Sequence, residues 1–370
     1  MQSLSIRVPG KLLLAGEYAI LEPGSLALVL GVNRYLNVEL NPAAAYSLST
    51  DLQPEAWNYT PAELFQGEPP ANLTFAVSAL RLGWQLLQPQ LEALPPFGLH
   101  ISSQLHDQAR KLGLGSSAAV CVGVLAALLA AVGQDPEAAD TRRTLFRLAL
   151  LAHRLVQGSG SGADLAGCIH GSVTAYTSPD FDRIPFQLEL KRLLTMDWPM
   201  LALEKLPWPQ AWGPIAIGWS GAAADTASLI PDYLDWQEAH PEEQTEFLFE
   251  SRLSCLGLRE ALQQSDSSQL VQGLGRSRRL LQRLDYELQQ MLRTPALETP
   301  ALAALADAAE ALGGAGKFSG AGGGDCGLAW VPADKRAELH QAWKQAGIEP
   351  LDLELDTRGV HRLSTVGGTP

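Results

Sequence analysis

Apolar residues recur along this chain at two spacings, one of about two residues and one of three to four, so both strands and helices are predicted. Residues 4–8 (LSIRV) alternate and open the chain as a strand. A Pro9-Gly10 turn then leads into a second apolar strand that ends at Gly16-Glu17-Tyr18. Residues 26–40 read as two strands with a turn near Gly31, and the proline- and alanine-rich stretch 41–70 as loop. Leu73, Val77, Leu80, Trp84 and Leu87 fall on one helical face, and Phe97 to Leu105 alternates as a strand. Ala118 to Val132 is an uncharged apolar run without proline, too short to span a bilayer comfortably, and reads as a core helix. A helix over 136–157 follows, through Leu145, Leu148, Leu151 and Leu155.

Proline, tryptophan and charge cluster between Asp180 and Trp212, which places a boundary near 195–210 and divides the chain into 1–200 and 201–370. Beyond it, Pro214 to Trp219 reads as a strand and 228–295 as mostly helical, with breaks near Pro231 and Pro241. An alanine-rich helix over 299–312, a strand Leu328–Val331, a helix over 334–346 and a strand Ile348–Leu355 complete the order. Strand, helices, strand, helix, strand fits an α+β fold.

Three glycine-rich loops interrupt this pattern. The first in importance is Gly113-Leu114-Gly115-Ser116-Ser117-Ala118, at the head of the apolar helix. Glycines there let the backbone turn and approach a ligand closely, and a helix start gathers unpaired N–H groups at one spot. This is either a phosphate site built from backbone or a plain cap on a buried helix. Ser116 and Ser117 add hydroxyls able to bind a phosphate oxygen or a cation such as Mg²⁺. The loop is not a Walker A sequence. The second loop, Gly158 to Gly162, ends in Asp164, which is either a helix cap or a base held at a cleft. The third runs from Gly313 to Gly327, carries Ser319 and Asp325, and lies between a helix and a strand, as a ligand loop would. Lys11, among apolar neighbours, either snorkels to water or aims its charge at a phosphate or carboxylate.

Charge and cysteine content narrow the classes. A formal net charge of −13 argues against a nucleic-acid surface, although a local basic pocket such as one at Arg110 and Lys111 remains compatible with it. Four scattered cysteines form no C-x-x-C pair and predict neither a zinc site nor a disulfide framework. No signal peptide pattern precedes the first strand, so a cytoplasmic, membrane-free protein is expected.

Taken together, the three loops resemble the GHMP kinase superfamily. Its first motif resembles Pro9-Gly10-Lys11 through Gly16-Glu17-Tyr18, its phosphate loop Gly113 to Ala118, and its third motif Ser319 to Gly324. Within the superfamily the wording is most similar to the bacterial phosphomevalonate kinases; Tyr18 stands where mevalonate and sugar kinases usually have histidine. The resemblance implies an N-terminal domain like ribosomal protein S5 domain 2, a ferredoxin-like C-terminal domain, and ATP with Mg²⁺. It implies Lys11, Asp164 and Lys111 as catalytic, and Gly113, Leu114, Gly115, Ser116, Ser117 and Ala118 at the nucleotide, with Ser117 on the metal. Glu17, Tyr18, Ser161, Ser319, Gly320, Ala321 and Gly322 are implied at a small phosphorylated acceptor. A monomer or homodimer is expected. Two departures stand out. Thr141 to Ala163 contains no acid, where mevalonate kinases use a glutamate to help hold Mg²⁺, and the Ser220-Gly221 turn lacks a lysine. Other readings on the same motifs are a kinase for mevalonate or a sugar, the related decarboxylase, and a ligand sensor without catalysis.

Overall fold

The computed structural model of the chain describes residues 1–364 apart from 108–109, 159, 225 and 293–294. Its first sheet is framed by two long antiparallel strands, β1 (Leu4–Ala15) and β2 (Leu26–Pro42). Both correct the sequence reading. Pro9-Gly10 is no turn: the register steps from Pro9 opposite Tyr35 to Gly10 opposite Val32, so Asn33 and Arg34 bulge from β2 while β1 runs on. Proline is tolerated at such a bulge because the ladder asks nothing of its missing N–H. Gly31 is no turn either. It sits mid-strand because Gly171 Cα lies 2.7 Å from where its Cβ would be.

Residues 41–70 are not loop. They hold β3 (Tyr46–Thr50), β4 (Gln53–Tyr59) and α1 (Pro61–Gln66). Tyr46 and Tyr59 stack across this hairpin at 5.9 Å, and a Thr60–Glu63 capping box starts the helix. Helix α2 (Thr74–Glu92) and β5 (Phe97–Ser103) follow as expected, then the short pair β6 (His106–Asp107) and β7 (Arg110–Lys111). Helices α3 (Ser116–Ala131), α4 (Ala139–Gln157) and α5 (Ala163–His170) come next. The α3 helix is apolar all round because it is enclosed all round, by the sheet and by its neighbouring helices. Among the described residues no helix is long and apolar enough to cross a membrane.

Strand β8 (Val173–Thr177) pairs with the first half of β2, and β5 with its second half, so the sheet branches at β2. After α6 (Leu190–Thr195), β9 (Ala202–Leu206) extends the same sheet beside β8. The second sheet begins with β10 (Ala216–Trp219). Helices α7 (Thr226–Ala239), α8 (Pro241–Gln264), α9 (Ser267–Leu292) and α10 (Pro300–Ala311) then pass in succession. Pro241 starts α8, as expected, whereas α7 continues through Pro231. Strand β11 (Ala315–Phe318) occupies what reads as glycine loop, because Lys317 and Phe318 are buried there. The loop itself is confined to the connection between β11 and β12 (Cys326–Trp330). Helix α11 (Arg336–Gln345) and β13 (Glu349–Leu351), shorter than expected, complete a four-stranded sheet of order β11-β12-β10-β13. Finally β14 (His361–Arg362) returns to pair with β1.

The two sheets are joined by the turn that follows β1. Tyr18 and Ala19 of that turn lie in an apolar cluster with Tyr233 and Trp236 of α7, Leu284 of α9 and Phe318 of β11. Beside them Lys317 donates to the Glu17 carboxylate, both side chains being essentially inaccessible to water. Lys317 also donates to the Phe318 carbonyl at 2.6 Å, whereas Glu17 Oε2 has no hydrogen-bond partner among the described residues.

Two stability measurements check this account. Removing one partner of a buried ion pair strands the other, at a cost of about 3–5 kcal/mol, while removing both is far milder. Lys317→Met is therefore expected to lower the denaturation midpoint more than the double variant Lys317→Met with Glu17→Leu. Glycines on two helices form the second pair. A Cβ at Gly123 of α3 would lie 2.6 Å from Val38 Cγ2, whereas one at Gly257 of α8 would meet nothing within 4 Å. Urea denaturation should show Gly257→Ala stabilising by about 0.5–1 kcal/mol and Gly123→Ala destabilising despite the same gain in helix propensity.

Candidate active site

The site is assembled on the edge of β1 that faces away from β2. Two alternate amides of that edge are used in turn: Lys11 N–H donates to the Leu114 carbonyl at 3.0 Å, and Leu13 N–H to Ser319 Oγ at 2.8 Å. One holds the loop before α3, the other the loop between β11 and β12. Loops from the two sheets are thereby set side by side on a single strand.

At the first of these loops Gly115 is the N-cap of α3, with φ 78°. A side chain there is excluded twice over, by the left-handed backbone and by the Lys11 stem, 2.7 Å from a Cβ at that position. The start of α3 thus lies directly against the Lys11 stem. Lys11 itself lies under the loop, 7% exposed, and its Nζ is 3.1 Å from Asp164 Oδ1. Burial pushes the Lys11 amine down, but the charge and hydrogen bond of Asp164, with the charge of Asp325, outweigh it, and the net shift is upward. Lys11 is therefore a buried cation, not a snorkelling one.

Asp164 is not a helix cap. Gly162 caps α5, Ser161 Oγ accepts from Ala163 N–H at 3.3 Å, and Asp164 sits one residue further in, with its side chain 38% exposed. It reaches Lys11 because α5 lies very close to the sheet: a Cβ at Gly167 would be 2.6 Å from Val29 Cγ1 and 3.0 Å from Lys11 Cβ. Ser161 is half-buried, and its carbonyl accepts from the Tyr176 hydroxyl.

The third loop is fixed at several points. Ser319 is held by Leu13, and the Tyr18 hydroxyl donates to the Ala321 carbonyl at 2.5 Å. Burial, with the charges of Asp285 and Glu17, holds the Tyr18 phenol in its protonated, donating form. Gly320 and Gly322 take positive φ on either side of Ala321. Asp325 closes the loop, its Oδ1 accepting from Ala224 N–H at 3.1 Å. A Cβ at Gly113 would lie 2.5 Å from Asp325 Oδ2, so this loop abuts the loop before α3.

Most of the expected residues therefore converge: Lys11, Asp164, the Gly113–Ala118 loop, Ser161 and Ser319 to Gly322. Glu17 does not. It was expected at the acceptor, but its carboxylate is buried against Lys317 behind the turn and is closed to a ligand. Tyr18 also acts from behind, 5% exposed, through Ala321. The Lys111 side chain lies outside the described residues; its backbone pairs with His106 in the β6–β7 hairpin.

Two site residues were missed from sequence. His106 Nε2 lies 2.9 Å from Ser116 Oγ, and His153 Nε2 3.1 Å from Ser117 Oγ. His153 carried a usable signal: it falls four residues after Ala149 and seven after Phe146, on the buried face of α4. A polar group on such a stripe needs a partner. Burial lowers its affinity for a proton, with Asp164 opposing.

For a cation, the site offers the Ser117 hydroxyl and the Asp164 carboxylate. Hard oxygens in this number fit Mg²⁺, which takes one or two protein ligands and fills its octahedron with phosphates and water.

Comparison with known proteins identifies the family. The GHMP kinases N-terminal domain model matches residues 75–172, and the GHMP kinases C-terminal model residues 258–349. A phosphomevalonate kinase of Streptomyces sp. (strain CL190) is 36% identical, over 95% of this chain and 97% of its own. The structure of Streptococcus pneumoniae phosphomevalonate kinase in complex with phosphomevalonate and AMPPNP superposes with a TM-score of 0.79 at 28% identity, covering 95% of this chain and 99% of that one. A Listeria innocua protein structure superposes at 0.88 with 31% identity, covering 98% and 100%. With both family models matched in order around one assembled site, and a relative spanned almost from end to end, the chain belongs to the GHMP kinase family.

Proposed function

We propose that this chain transfers the γ-phosphoryl group of ATP to the phosphate of (R)-5-phosphomevalonate, giving 5-diphosphomevalonate and ADP. The observation that carries the reading is the Lys11–Asp164 pair lodged beneath Gly115, the N-cap of α3. The phosphomevalonate kinases of Streptomyces and Streptococcus, similar over nearly the whole chain, supply the acceptor and the nucleotide.

Phosphoryl transfer asks the protein for alignment and for compensation of charge rather than for covalent chemistry. The amides at the start of α3 bind the terminal phosphates of the nucleotide, in the field of the helix dipole. Mg²⁺, when bound, neutralises charge on the β- and γ-phosphates, and Ser117 with Asp164 would hold it. Lys11 lies between acceptor and donor and offsets the repulsion of two phosphates brought into contact. Lys111 is assigned to the transferred group on its place before the loop. Ser161 and the Ser319–Gly322 loop form the acceptor side, held in shape by Tyr18. The acceptor is a phosphate monoester, whose second pKa lies near 6, so its attacking oxygen is already ionised at neutral pH. Asp164 consequently serves to hold Lys11 and a cation in place, and proton abstraction is not its main task.

Three measurements test this. Coupled ADP release with ATP and Mg²⁺ should be rapid with 5-phosphomevalonate and slow with mevalonate, galactose or homoserine; preferential turnover of an unphosphorylated acceptor would overturn the substrate while keeping the kinase. Lys11→Ala and Asp164→Ala should each lower kcat by about 10² or more with the fold intact. Near-normal kcat in both would refute their placement in the site. Tyr18→Phe removes one hydrogen bond from the glycine loop, and steady-state kinetics should show KM for the acceptor rising by roughly tenfold while kcat changes less.

A further inference from the structure

Ser116 and Ser117 stand together at the first turn of α3, and each hydroxyl has an imidazole against it. The two imidazoles are not equivalent. His106 is half-buried on the β6–β7 hairpin, whereas His153 is 7% exposed and belongs to the rigid, buried face of α4. Its ring lies 5.0 Å from that of Phe75, which limits its freedom to turn. A serine hydroxyl at a helix start has three staggered positions, and in some of them it bonds its own backbone instead of a ligand. Contact with a fixed nitrogen 3.1 Å away selects among them. The one carboxylate of α4, Asp140, is exposed in its first turn beside Arg143, and from Thr141 to Ala163 there is none, so His153 is the polar group this helix offers to Ser117.

We propose that His153 is a positioning residue for the metal–nucleotide complex: by hydrogen bonding to Ser117 it locks that hydroxyl in the rotamer that presents its oxygen to the metal on the nucleotide phosphates. The inference rests on the ATP and Mg²⁺ reading given above. It assigns to α4 a ring nitrogen acting through Ser117, so that Asp164 remains the one protein carboxylate the reading places at the cation.

The test is binding rather than turnover. Mn²⁺ is titrated into the full-length protein with ADP, and free Mn²⁺ is followed by electron paramagnetic resonance. His153→Ala and Ser117→Ala are each expected to weaken Mn²⁺–ADP binding by about three- to tenfold, the size of one neutral hydrogen bond. The double variant should bind no more weakly than Ser117→Ala alone, because His153 acts through that hydroxyl. His153→Gln, whose amide nitrogen reaches the place of Nε2, should recover most of the affinity, and His153→Leu, of similar bulk, should not. The Gln–Leu contrast carries the test even where His153→Ala fails to fold. Wild-type affinity in His153→Leu, or losses that multiply in the double variant, overturns the proposal. Absence of Mn²⁺–ADP binding by the wild-type protein instead overturns the nucleotide reading on which it rests.

Discussion

Everything at this site hangs on two amides of one strand. Lys11 and Leu13 are alternate residues of β1, so their N–H groups leave the same edge. One holds the carbonyl of the loop before α3, the other the first hydroxyl of the loop between β11 and β12. A strand is among the stiffest supports a chain can offer, and the distance between these anchors is fixed by the backbone repeat. The two loops therefore keep their spacing although they come from parts of the chain some 200 residues apart. Transfer between two bound molecules depends on such spacing, because small misplacements of reacting atoms carry large penalties in rate.

The same economy explains the buried pair of Glu17 and Lys317. A salt bridge removed from water is weak evidence for stability, since desolvation opposes the attraction. Its value here is in register. Glu17 lies in the turn after β1 and Lys317 sits within β11, so the pair fixes where the second sheet meets the first. Tyr18 continues the tie on to Ala321, and Leu13 to Ser319. Three polar contacts and an apolar cluster thus bind the glycine loop to β1 and the turn that follows it, in addition to the hold of its own Asp325 on Ala224.

The broad class and the three loops were legible because their signals are local. Glycine spacing, an uncharged helix after a Gly-Ser loop, and an acid after a second loop all survive in a linear reading. What was lost was whatever depends on partners far along the chain. Gly31 and Pro9-Gly10 read as turns because glycine and proline usually make turns; their real causes are Gly171 packed against β2 and a bulge in its ladder. Glu17 read as a ligand residue because the lysine that buries it lies 300 positions later, in a stretch that looked too rich in glycine for a strand. His153 could have been found, since a histidine on an apolar helical stripe asks for an explanation, but nothing in the sequence points to Ser117 as its partner.

The chemistry of the acceptor gives the Lys11–Asp164 contact its meaning. An alcohol must lose a proton as it attacks, and a carboxylate beside it would then act as base. A phosphate oxygen has no such proton to lose near neutral pH, and its difficulty is electrostatic: an anion must approach an anion. What that step needs is a cation that stays charged out of water. Burial alone would lower the Lys11 pKa, and the adjoining carboxylate reverses the shift, so that Lys11 holds its proton more firmly than an ordinary lysine. Because that pKa is raised on folding, the stability the pair contributes is fully present below the unfolded lysine value and is lost only as pH rises through the folded one. In the proposed transfer Asp164, partly exposed, keeps a face for a cation or the incoming acceptor while Oδ1 holds Lys11. On that reading a single carboxylate maintains the local positive charge that a chain of net charge −13 needs to bring two phosphates together at one point.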